Sequence, residues 1–138
     1  MAYWLVKSEP NKWSWQDHVR DGVAEWDGVR NYQARNNMLA MKVGECAFFY
    51  HSQIGLEIVG VLEVATAAHQ DSTTEDSRWQ CVDFRALYPL GRPLTLKHIK
   101  ADPKLSDMAL VTHSRLSVQP VTAAQWRHIC KITDTKAD

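Results

Sequence analysis

The sequence predicts an α+β domain: a curved antiparallel sheet, tending toward a β-barrel, with helices around its edge. Three observations lead there. Short runs rich in aromatic and β-branched residues recur along the chain without the steady strand–helix alternation of a parallel sheet. Segments opened by helix-capping residues fall between them at irregular intervals. The length of 138 residues, 45% apolar and 23% charged, matches one folded domain with its own core, spanning residues 1–138, and excludes disordered and fibrous chains.

The elements follow in order. Residues 3–7, YWLVK, read as a strand that stops at Ser8-Glu9-Pro10, because the residue before proline is pushed out of the helical region. Ser14 with Asp17 three residues on is a capping-box start for a short helix ending at Gly22. Asp27-Gly28 is a turn, and Asn31 is the N-cap of a helix to about Met41 whose apolar face is Ala34, Met38 and Met41. Residues 46–51 and 56–66 read as strands joined by a hairpin at 52–55, with Gly60 marking a bulge or bend. A polar loop over 69–76 leads to a strand over 79–87, then to a turn-rich segment from Pro89 to Pro93. Thr95 opens a small helix to Ala101. Residues 117–121 are a short strand, and Thr122 caps a C-terminal helix with Trp126, Ile129 and Cys130 on its apolar stripe. The last residues should fray.

Composition narrows the function. Sixteen Lys plus Arg balance sixteen Asp plus Glu, so the chain cannot coat nucleic acid through net charge and must meet any polyanion locally. No apolar run has the length of a membrane span, and charges in MAYWLVKSEP interrupt any signal peptide. The expectation is a cytoplasmic chain with no membrane partner. Cys46, Cys81 and Cys130 are odd in number and far apart, which reads as reduced packing residues. The histidines at 18, 51, 69, 98, 113 and 128 show no short ligand spacing, so no metal site and no cofactor are expected. Phosphate loops, nucleophile elbows and paired-carboxylate motifs are missing too, and the chain reads as a non-enzyme.

The informative segment is Trp26 to Arg35. Within ten residues it carries Trp26 and Tyr32, two guanidinium groups, and the amides of Asn31 and Gln33. Aromatic faces stack on a heterocycle, amides match its edge and Arg holds phosphate, which is how unstacked nucleotides are bound. The plainer alternative makes Trp26 a core residue and Asn31 only a helix cap. Charge is also segregated: six acids and one Arg lie in 57–83, against eight basic residues and two acids in 84–131. A basic face built from Arg85, Arg92, Lys97, Lys100, Lys104 and Arg115 with Arg30 and Arg35 would suit a phosphate backbone, while separate solvated faces would give the same count.

Four blocks together, Tyr3 to Pro10, Trp26 to Arg35, Phe49-Tyr50-His51-Ser52 and Ser114 to Val121, resemble the EVE domain in order and spacing. The resemblance covers Ala2 to about Ile132 and implies a PUA-like fold. It implies a reader of a modified nucleobase in DNA or RNA, such as methylated or hydroxymethylated cytosine or methylated adenine, taken flipped into an aromatic-lined pocket. On that resemblance Trp13 and Trp26 are stacking walls, Ser8, Glu9 and Asn31 edge readers, His51 and Ser52 rim residues, and Tyr32 and Arg35 neighbours. Arg30 and Arg115 serve as phosphate or structural support, Arg115 alternatively tying its loop to the sheet through backbone carbonyls. Trp4 and Trp126 belong to the core. A second reading is a PUA-like RNA-binding module indifferent to modification. A third is an enzyme using Glu9 or His51 as acid or base. No sequence pattern fixes an oligomeric state, and a monomer suffices for any of the three.

Overall fold

Strand β1 (Tyr3–Ser8) is apolar on successive residues, so both of its faces need cover, and it lies inside the sheet rather than at an edge. In the computed structural model, which describes residues 1–136, β1 runs parallel to β3 (Cys46–His51) and antiparallel to β6 (Val118–Val121). β3 continues antiparallel into β4 (Glu57–Gln70), and β4 into β5 (Gln80–Thr95). A three-residue strand, β2 (Val23–Glu25), closes the far side of β5, so the order is β2-β5-β4-β3-β1-β6. The α+β architecture is the expected one, with one difference: the sheet is mixed. The β1–β3 pair can be parallel because α1 (Trp15–Asp21), β2 and α2 (Tyr32–Ala40) lie between them and supply the long crossover such a pair needs.

Alternation sorts the apolar residues into two cores. Trp4, Val6, Phe49, Leu62, Val64 and Phe84 face one side with Trp15, Trp26 and Met38. Leu5, Phe48, Tyr50, Ile58 and Val61 face the other, under α3 (Leu96–Ala101), α4 (Ala109–Thr112) and α5 (Ala123–Ile132). Trp126 stacks on Phe48 at 3.8 Å between centroids and on Tyr3 at 4.7 Å. Each fully buried large side chain contributes roughly 1.5–3 kcal/mol.

The local signals held where they were local. Ser14 and Asp17 form the capping box of α1, Asn31 accepts from the Ala34 amide at 2.9 Å, and Thr95 and Thr122 cap α3 and α5. Gly60 does sit at a register shift, and a Cβ there would lie 2.5 Å from the Trp15 indole, so the ring of α1 occupies the glycine's missing side chain. Three expectations need correcting. β4 reaches Gln70, past the expected loop start. β5 runs unbroken through Pro89 to Pro93, because beyond Ala86 only β4 pairs with it and the other edge demands no amide donors. Residues 133–136 lie packed on β5: the backbone carbonyls of Thr133 and Asp134 lie against Gly91, and Thr135 Oγ1 accepts from the Gly91 amide at 2.9 Å. Residues 137–138 lie outside the described residues. Among those described, no helix is long and apolar enough to cross a membrane.

Candidate nucleic-acid interface

The C-terminal ends of β1 and β3, the loop after β1, the segment around β2 and the 114–117 loop enclose an open cavity of about 1130 Å³. Of the residues singled out in the sequence, Ser8, Glu9, Trp13, Trp26, Ser52, Arg30 and Arg115 line it. Trp26 forms an inner wall. It is 7% exposed, packed edge-on against Phe49 and Phe84, and its indole N–H has no partner among the described residues. Trp13 is half-buried on the loop that Ser8 fixes by donating to the Trp13 carbonyl at 2.5 Å. Glu9 pairs with Lys12 at 2.9 Å. The sequence reading missed Lys7, Lys12, Glu25 and Asp27, which also line the cavity and make its rim mixed in sign.

His18, for which the sequence offers no ligand spacing, is a hydrogen-bonding centre behind the cavity wall. Buried completely, it accepts from Trp13 Nε1–H through Nδ1 at 3.1 Å and donates from Nε2–H to the Phe84 carbonyl at 2.8 Å. That pattern requires the neutral ring, and burial lowers its pKa from 6.5, against the raising effects of the Phe84 carbonyl and Asp21. The sequence did carry a signal: Trp13 and His18 occupy the N′ and N4 positions of α1, the sites of a hydrophobic staple.

The remaining residues lie elsewhere. Asn31 spends its side-chain oxygen on the α2 cap. His51 does not line the cavity; its Nε2 accepts from the Trp15 amide at 3.1 Å, so it anchors α1, and burial lowers its pKa as well. Tyr32 and Arg35 stand outside the cavity, on the adjoining surface of α2. Arg30 donates to Asp71 at 3.1 Å and to Thr73 at 3.0 Å, tying the 71–79 loop to the cavity wall. Arg115 is exposed, and its guanidinium makes no hydrogen bond among the described residues, so it does not tie its loop to the sheet. Of the other basic residues, Arg85 pairs with Glu63, Arg92 donates to the Ile132 carbonyl, and Lys97 with Lys100 lines an adjoining hollow that shares Leu56 and Leu96 with the cavity.

Strand register also brings Glu25, His69 and Cys81 together, with ligand atoms within 4.8 Å of one another. Both His69 nitrogens face oxygens, Nδ1 at 3.0 Å from the Gln70 carbonyl and Nε2 at 2.9 Å from Asp83. Burial opposes charging of His69, but Asp83, the Gln70 carbonyl and Glu25 outweigh it and raise the pKa. Burial, with the carboxylates nearby, pushes the Cys81 thiol up to about 12. Cys81 and Cys130 are buried and Cys46 is half-buried, and none of the three is in a disulfide.

A mixed six-stranded sheet flanked by helices, with a cavity lined by Trp13 and Trp26 at the ends of β1 and β3, defines a PUA-like domain. Residues 2–132 match the EVE domain model, and the chain belongs to that family. Thymocyte nuclear protein 1 from mouse is 34% identical over 168 residues, covering 97% of this chain and 74% of the relative; the zebrafish protein is 37% identical over 94% and 71%. A crystal structure of a protein from Agrobacterium tumefaciens is 52% identical, with a TM-score of 0.96 over 98% of this chain and 94% of that one. The structure of human THYN1 protein in complex with DNA containing 5-methylcytosine is 31% identical, with a TM-score of 0.89 over 99% of both chains.

Proposed function

We propose that this chain is a single EVE domain that reads modified cytosine in DNA without transforming it, taking a flipped 5-methylcytosine between Trp13 and Trp26. The observation that carries the reading is the open cavity of about 1130 Å³ walled by those two indoles, with the unpartnered Arg115 guanidinium among its lining residues. The complex of the similar human protein with 5-methylcytosine DNA supports the ligand class. Flipping costs a few kcal/mol, and stacking returns about 1–3 kcal/mol per base. Ser8, Glu9 and Ser52 supply donors and acceptors for the base edge, and Arg115 holds the displaced phosphate. A buried methyl contributes about 0.8 kcal/mol, a factor of about four in affinity, so larger discrimination requires close walls.

The test is the affinity of the chain for an oligonucleotide with one central 5-methylcytosine and for its unmodified twin. Expected is at least about fourfold preference for the modified probe. Trp13→Ala should lose about five- to 150-fold in affinity. Trp26→Phe is the conservative probe of the inner wall, because its indole also belongs to the core. Equal affinity for both probes overturns the reading; tighter binding to plain RNA than to either DNA favours the RNA module indifferent to modification.

A further inference from the structure

Beside the cavity, four side chains form a continuous layered stack. The Arg30 guanidinium, at the cavity wall, lies 5.5 Å from the Trp79 ring centre; Trp79 and Tyr32 stack at 5.0 Å with planes 29° apart; and Arg35 lies 5.0 Å from the far ring, Tyr32. Arg78 borders the stack and donates to Tyr32 Oη at 3.4 Å. Two of the three guanidinium groups have carboxylate partners, Arg30 with Asp71 and Arg78 with Asp76. Arg35 has none: it donates only to Asn36 Oδ1 and to the Arg78 carbonyl. Tyr32 is 50% exposed, so the ring and the Arg35 guanidinium beside it are open to solvent.

These features make a surface suited to a phosphodiester chain. Stacking on the rings holds the guanidinium planes in place, so less side-chain freedom is lost when an anion binds. Arg30 and Arg78 are neutralised by Asp71 and Asp76, with Asp27 also near Arg30, so Arg35 is the guanidinium left to meet an anion. Because Arg30 belongs both to the stack and to the cavity lining, the stack adjoins one side of the cavity mouth, within reach of a strand whose base enters there. We propose that the Arg30–Trp79–Tyr32–Arg35 stack, bordered by Arg78, tracks the backbone of the DNA strand flanking the flipped nucleotide. This rests on the base-reading proposal for its ligand and adds a second contact region that is blind to modification. The stack is at most about 15.5 Å long from the spacings above, enough for a few neighbouring phosphates of one strand. Phosphate contacts position a strand and carry no base information.

The experiment is a salt titration of binding to the 5-methylcytosine duplex and its unmodified twin. It compares the parent chain, Arg35→Gln, Arg35→Lys, Arg78→Gln and the exposed control Lys131→Gln on α5, each with its melting temperature. Arg35→Gln should weaken both probes by the same factor. It should also lower the slope of log affinity against log salt by about 0.9, so that the loss of affinity between about 50 and 200 mM salt shrinks about 3.5-fold. Arg78→Gln should act in the same direction, Arg35→Lys should restore most of the slope, and Lys131→Gln should leave it unchanged. An unchanged slope in both glutamine variants overturns the proposal, as does a selective loss of the modified probe, which would move these residues into the base site. A parent chain without modification preference whose slope still falls in Arg35→Gln refutes the base-reading proposal and leaves the tracking surface standing. Absence of DNA binding by the parent chain refutes both.

Discussion

Replacing Gly60 by alanine tests how the sheet positions the cavity loop. The added Cβ would lie 2.5 Å from Trp15 Cη2 and Cζ3, whereas unstrained carbons sit about 3.5–4.0 Å apart, so the indole must retreat by about 1 Å. It has little room: Trp15 is 6% exposed and packs edge-on against Phe49 at 5.6 Å. Its amide is also held by His51. Overpacking of this kind costs about 1–3 kcal/mol, which for a domain of this size lowers the melting temperature on the order of 3–12 °C. Trp13 is two residues from Trp15, so the same displacement should weaken DNA binding beyond the loss of stability. The assay is a double-mutant cycle by thermal denaturation, with Gly60→Ala made alone and in a Trp15→Leu background. The two changes should couple, the glycine substitution costing under about 0.5 kcal/mol once the indole is gone. An equal cost in both backgrounds would refute the assignment of Gly60 to the Trp15 ring.

Other outcomes are expected. His18 should titrate below 6.5 in an NMR pH series; since the unfolded ring takes up its proton first, the stability from keeping it neutral is present above about pH 6.5 and is lost as pH falls toward the folded value. A His18 pKa above 6.5 would contradict the Trp13-to-His18 hydrogen bond. Asp71 accepts from the Gly28 amide, from Thr73 and from Arg30, which holds its carboxyl down at about 2 despite burial. Its contribution should be complete above about pH 4 and vanish as pH falls through about 2. Asp71→Ala should cost about 1–3 kcal/mol in denaturant melts by stranding those donors. Arg115→Gln should leave stability within about 0.5 kcal/mol of the parent while weakening both modified and plain DNA. A large drop in melting temperature there would show a structural role.

What could be read from the residues was what neighbouring residues decide. The caps at Ser14, Asn31, Thr95 and Thr122 involve a side chain and an amide three positions apart, and each was visible. The course of β5 through Pro89 was not, because proline's tolerance there depends on which edge of the strand is free, and that depends on the short strand β2. The parallel β1–β3 pair was hidden for the same reason. In the binding region, Trp13 and Trp26 were recognisable as flat faces, but nothing local separated Trp26, which lines the cavity, from Tyr32, which stacks outside it on Trp79. Trp79 lies 47 positions from Tyr32 in sequence, and only the fold reveals that the loop bearing it folds back onto α2.

The placement of β1 between β3 and β6 has a kinetic consequence. Val6 meets Val118, more than a hundred residues away, across an antiparallel ladder. No hairpin or other nearby segment can shelter β1 while the intervening chain is unstructured, and closing so large a loop delays its final pairing. Until β6 docks, an apolar ribbon destined to be covered on both sides keeps one row of amides and carbonyls open. The slow step of folding should therefore be the seating of β6 and α5, and the partly assembled sheet is the species most prone to capture another copy of itself.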